Sequence, residues 1–103
     1  MGKIIHEYKD INSFYPSGVE FVLDSNEKIT VGNSSAGIKI YGVVLFIIPK
    51  LLWRCDNASL ISKMFPILEQ NYVGSPLKQI ALDIIERFKT KKELVFFLEN
   101  YKT

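Results

Sequence analysis

One cysteine, one histidine and one tryptophan in 103 residues leave little raw material for most kinds of chemistry. Cys55 has no partner for an internal disulfide, and Met1-Gly2-Lys3 leads into Ile4-Ile5-His6 without the apolar core of a signal peptide, so the expected setting is reducing and cytoplasmic. His6 is the only imidazole, and a Ser-His-Asp or Cys-His device or a His-bearing metal cage would have to be built around it, near the start of the chain. Cys55 lies among apolar residues, the surroundings of a small buried hydrophobe, whereas a reactive thiolate needs an electropositive, partly open site. No two acids are placed as a general acid and base, and Gly32 to Gly37 lacks the lysine and the spacing of a phosphate-binding loop. A non-enzyme without metal or cofactor is therefore expected. The longest apolar stretch, Tyr41 to Trp53, is interrupted by Gly42, Pro49 and Lys50 and falls short of the ~20 residues a membrane-spanning helix needs. A net charge of +2 is too small to be a nucleic-acid footprint by itself, and the cluster Arg87, Lys89, Lys91 and Lys92 is expected to be a solvated helix end.

What is present is enough apolar residue for one core. At 48% hydrophobic and 23% charged, the chain has the composition of an ordinary globular protein, and its length suits one domain spanning residues 1–103, with 1–18 as a loose N-terminal arm. The run Tyr41 to Trp53 is expected to form the interior, with Leu51 and Leu52 holding the core.

Along the chain, Ile4-Ile5 and Tyr8 start a short strand or arm, and Ile11 to Gly18 has loop composition. Val19, Phe21 and Leu23 alternate with Glu20 and Asp24, and after the turn residues Asp24 to Glu27 the alternation returns in Ile29 and Val31, giving a hairpin. Gly32 to Gly37 is a second polar turn before Ile38-Lys39-Ile40-Tyr41, the third strand. Val43 to Ile48 fits strand or helix, and Pro49, tolerated in a first helical turn, favours a helix from Ile48 through Cys55. Asp56-Asn57 then caps a second helix carrying Leu60, Ile61, Met64, Phe65 and Leu68 and kinked at Pro66. After a break at Asn71 to Gly74, Ser75 and Pro76 open a third helix with Leu77, Ile80, Ala81, Ile84, Ile85 and Phe88 on one face. The tail Glu93 to Tyr101 fits helix or strand, with helix favoured. Phe88, Phe96, Phe97 and Tyr101 are expected in the core. The fold class is α+β, a three-stranded antiparallel meander followed by three to four helices.

This order, with Lys28-Ile29-Thr30-Val31-Gly32, Ile38-Lys39-Ile40-Tyr41-Gly42 and Leu51 through Ile61, resembles the winged-helix-like peptide-recognition domain of ribosomal-peptide maturation systems. That family includes the pyrroloquinoline-quinone peptide chaperone and the N-terminal domains of azole-forming cyclodehydratases. Its turn after the first helix carries Leu-Asp-Gly where this chain has Cys55-Asp56-Asn57. Pro49 and Pro66 also interrupt its first two helices, and the resemblance spans Val19 to Phe88. It implies a small bacterial binding module that captures an extended leader peptide by strand addition and presents it to a modifying enzyme. Ile38, Lys39, Ile40 and Tyr41 would then pair with the peptide's backbone. Leu77, Ile80, Ala81, Ile84 and Phe88 would receive its apolar side chains, with Lys39, Lys78 and Arg87 attracting its acidic ones.

Two other readings share the same composition. One is an immunity protein that binds and neutralises a bacterial toxin, although an inhibitor of a nuclease is usually acidic and this chain is mildly basic. The other is a winged-helix DNA-binding protein using Ser75 to Phe88 as recognition helix and Arg87 to Lys92 on phosphates, opposed by Asp83 and Glu86 on the same helix.

Overall fold

The alternating apolar residues between positions 19 and 40 do build a sheet, but a larger one than the hairpin and third strand they suggest. The computed structural model describes residues 2–9, 17–34, 37–44, 48–69 and 76–101. Five strands, β1 (Lys3–Lys9), β2 (Ser17–Val22), β3 (Lys28–Ser34), β4 (Gly37–Val44) and β5 (Ile48–Cys55), form an antiparallel meander in the order β1-β2-β3-β4-β5. Helix α1 (Ala58–Met64), a 3-10 turn (Pro66–Glu69), α2 (Pro76–Arg87) and α3 (Lys91–Asn100) follow. The class is α+β; the strand count is corrected from three to five.

Both added strands come from segments that a period of two does not reveal. Lys3–Lys9, expected as part of a loose arm, pairs with β2, and the register slips between Ile4 and His6, leaving Ile5 as the extra residue of a bulge. Ile48–Cys55, expected as the first helix, is the other edge strand. It pairs Val43 with Pro49, Tyr41 with Leu51 and Ile40 with Trp53, so Leu52 is the extra residue and the alternation breaks inside the strand. Proline is compatible with this position because an edge strand has one side on which no ladder donor is required. Ser17 and Gly18 belong to β2, not to the preceding loop; residues 11–16, 35–36, 45–47 and 71–75, where loop, turn, strand-or-helix, break and N-cap assignments were expected, lie outside the described residues.

The hairpin between β2 and β3 turns where expected. The amide of Leu23 donates to the carbonyl of Glu27 at 3.0 Å and that of Asn26 to Leu23 at 2.9 Å, with Asn26 in the left-handed region at φ 68°. Asn57 caps α1, its Oδ1 accepting from the Leu60 amide at 3.1 Å. Pro66 ends α1 outright where a kink was expected, because the residue before a proline is pushed out of helical geometry. The tail is helical, as favoured: Thr90 caps α3, its Oγ1 accepting from the Glu93 amide at 3.2 Å.

One face of the sheet is covered. Val19, Phe21, Ile29, Val31, Ile38 and Ile40 pack with Ile61, Met64 and Phe65 of the α1 region, Leu77, Ile80, Ala81 and Ile84 of α2, Phe88 after it, and Leu94 and Leu98 of α3. Cys55 is buried at the end of β5, with the Asn57 amide 3.4 Å from its Sγ. The expected core at Leu51 and Leu52 is displaced. Leu51 is 47% exposed, Leu52 and Trp53 are half-buried, and Leu52 reaches over Gly42, where a Cβ would lie 3.3 Å from its Cδ1 and from Lys91 Cδ. Among the described residues no helix is long and apolar enough to cross a membrane.

Ile40→Ala is expected to cost about 2–5 kcal/mol in denaturant unfolding, and Leu51→Ala about 0.5 kcal/mol or less. Equal losses at the two positions would show that β5 has been placed wrongly.

Candidate functional site

Strand β4 is internal to the sheet. It pairs with β3 from Ile29–Gly42 to Ser34–Gly37 and with β5 from Ile38–Cys55 to Val44–Ile48, so Ile38, Lys39, Ile40 and Tyr41 have strand neighbours on both sides and offer no edge to a peptide. Ile38 and Ile40 point into the core, and Lys39 and Tyr41 to the opposite face of the sheet. On α2, Leu77, Ile80, Ala81 and Ile84 are 4% exposed or less and belong to the core, not to a groove. Lys78 is exposed near the start of α2, and Arg87 ends it, nine residues or roughly 14 Å further along the axis. The expected peptide-binding residues are therefore dispersed: two core sets, Lys39 and Tyr41 on the uncovered sheet face, and Lys78 and Arg87 at opposite ends of a helix. Of the residues expected to read DNA from this helix, Gln79 is buried and Arg87 is engaged, which leaves Lys78 exposed.

The two true edges, β1 and β5, carry bulges and charge: Lys3, His6 and Glu7 on one, Pro49, Lys50 and Arg54 on the other. These features discourage strand addition. Among the described residues no three His, Cys, Asp or Glu side chains gather as a metal site.

What the fold does assemble is a groove between the end of α2 and α3. Its position is fixed by the β2–β3 turn, where Ser25 N–H donates to the Lys89 carbonyl at 3.0 Å. Glu27 Oε1 accepts from the Lys91 amide at 2.9 Å and from Ser25 Oγ at 2.7 Å. The carboxylate thus serves the free amides that begin α3, and those donors, the Lys91 amide foremost, hold its pKa below the ordinary 4.5.

Beneath the groove lies Arg87. Its Nη2 donates to the Met64 carbonyl at 2.7 Å and stands 2.6 Å from Asp83 Oδ2. Its guanidinium carbon lies 4.9 Å from the Phe97 ring centre, 5.3 Å from Phe88 and 5.8 Å from Phe65. Burial pushes the Asp83 carboxyl upward, and the Arg87 charge pulls the other way. Arg87 therefore joins α1, α2 and α3, and its role is to hold the groove's floor.

The walls are aromatic. Phe88 and Phe97 rings lie 5.1 Å apart and Phe97 and Tyr101 4.9 Å apart, both tilted. Phe96 and Lys92 complete a space of about 610 Å³. Phe96, expected in the core, is 69% exposed, and Tyr101 is 36% exposed. The signal was available in the spacing: Leu94 and Leu98, four apart, define the buried stripe of α3, and Phe96 falls between them on the outer side. Lys92 is exposed on the rim, with Glu93 the acid beside it.

No known protein family, curated protein or solved structure matches the chain.

The Glu27 bridge gives a pH signature. A carboxylate whose folded pKa is lowered stabilises the fold above its unfolded value of 4.5 and loses that contribution as pH falls through the folded value. Glu27→Gln should therefore cost about 1 kcal/mol at neutral pH, with the gap to the parent shrinking on acidification below about pH 4 in unfolding titrations. A gap that stays constant from pH 7 to 3 would mean that charge at Glu27 is irrelevant.

Proposed function

We propose that this chain is a small non-catalytic binding module that captures a peptide segment by lodging one large apolar side chain in the groove between α2 and α3. The observation that carries the reading is Phe96, 69% exposed in the wall of a groove formed with Phe88, Phe97 and Tyr101. A solvated phenylalanine beside an apolar recess loses water contact when a partner side chain fills it, and burying such a side chain favours association by about 1.5–3 kcal/mol. The charge around the recess selects the partner. Among the lining residues Arg87 and Lys92 are set against Glu93, so a segment bearing an acidic residue beside its apolar anchor is favoured in encounter and register. An acidic leader peptide delivered to a modifying enzyme has this character, seated on helices in place of the strand addition that β4 does not permit.

The experiment is an amide-shift titration with short acidic peptides carrying one central Phe or Leu, against a peptide with Ala at that position. Shifts should centre on Phe88, Thr90, Phe96, Phe97 and Asn100. Phe96→Ala should weaken binding about tenfold or more with little change in unfolding midpoint, as expected of an exposed anchor contact. Unchanged affinity in that variant, or equal binding of the Ala peptide, would overturn the assignment.

A further inference from the structure

The sheet's second face has no helix on it among the described residues. Pairing places Lys3, His6 and Tyr8 of β1, Glu20 and Val22 of β2, Lys28 and Thr30 of β3, Lys39 and Tyr41 of β4, and Leu51 and Arg54 of β5 on that side. Apart from Thr30, each of these residues is exposed or half-buried. The charge is one-sided. Among the described strand residues, Lys3, Lys28, Lys39 and Arg54 share this face with one acid, Glu20, which is engaged by the Tyr8 hydroxyl. Rings are interleaved with the cations: His6 and Tyr8 meet edge to face at 4.4 Å, and Tyr41 follows Lys39 on the same side of β4.

The geometry points to this face as a binding surface for single-stranded nucleic acid, with Lys39 and Arg54 as phosphate contacts and Tyr41 as a stacking platform for a base. Lys39 and Arg54 are directly opposed on neighbouring strands, and Tyr41 and Leu51 form the adjacent pair. A cation row thus runs beside a row of ring and aliphatic surface, matching a strand whose phosphates and bases lie on separate sides. A duplex hides its bases, and a purely acidic protein surface would have no use for the rings. Five strands at about 4.8 Å spacing give a platform roughly 19 Å wide, enough for several nucleotides. This surface is on the opposite side of the sheet from the α2–α3 groove, so the two inferences stand or fall separately.

The test is fluorescence anisotropy of the intact chain with a labelled oligouridine of about 12 nucleotides. At about 50 mM salt saturable binding is expected, weakening with a log–log salt slope of about −1 to −2, as for the two phosphates that Lys39 and Arg54 contact at roughly 0.7 each. Lys39→Glu with Arg54→Glu should weaken binding at least about tenfold, and Tyr41→Ala by about fivefold or more with the salt slope retained. Lys63→Glu with Lys78→Glu, the same charge change on the helical layer, should stay within about twofold. Because Tyr41 is half-buried, Arg54→Ala at an exposed position serves as a second, fold-neutral variant and should also weaken binding. Absence of saturable binding, an equal loss in the helical-layer variant, or duplex or polyglutamate competing as well as the single strand would each overturn the proposal.

Discussion

The constraint on which the structure depends is that a five-stranded sheet has two faces and, among the described residues, the helices cover only one. Val19, Phe21, Ile29, Val31 and Ile40 are all 2% exposed or less, and Ile80, Ala81 and Ile84 of α2 meet them without access to water. Because side chains alternate along a strand, this burial also fixes the register, since a slip by one residue would bring Glu20, Lys39 and Tyr41 into the core. The identity of the outer face therefore follows from the packing of the inner one. The same requirement explains why both edges are irregular: bulges at Ile5 and Leu52 let the outer strands finish the sheet while twisting away from further pairing.

The helical layer depends on a second feature, the engagement of Arg87 by a carbonyl, a carboxylate and three rings. α1 is short and α3 is joined to α2 by three residues, so neither has much contact area with which to choose its own orientation. A guanidinium can satisfy an oxygen on each of two elements in its plane while offering its faces to aromatics, a geometry that an ammonium group does not share. The aromatic walls of the groove are consequences of this arrangement. Phe88 and Phe97 are held against the cation, and Phe96, one residue further round the helix, faces outward.

The sequence made parts of this legible where periodicity and chemistry agreed. The β2–β3 hairpin, the buried stripe of α2 and the Asn57 cap each follow from residues that admit one good arrangement. β5 was lost because Pro49 suits either a first helical turn or an edge strand, and because the bulge at Leu52 erases alternation in Leu51-Leu52-Trp53. Without a repeat, an apolar run carries no directional information. The core followed the same error, since the most hydrophobic segment of the chain is an edge hairpin and the interior is built from sparser alternating strands. The candidate site was less legible still. Ile38 to Tyr41 look like a free strand only while β5 is taken for a helix, and once β5 is paired their ladder is complete.

Charge shows why site residues resist reading along the chain even when each is visible. A net of +2 argues against a polyanion partner only if charge is spread evenly. Lys28, Lys39 and Arg54 are at least eleven residues from one another in sequence, yet cross-strand pairing sets them on one side of three adjacent strands, while Asp83, Glu86 and Glu93 are carried by the helices on the other. The total counts every charge on the chain at once, but a ligand meets one face at a time, and at a Debye length of about 8–10 Å the far side is largely screened from it. Partner choice is therefore set by topology, which decides which charges share a surface, more than by the total that composition reports.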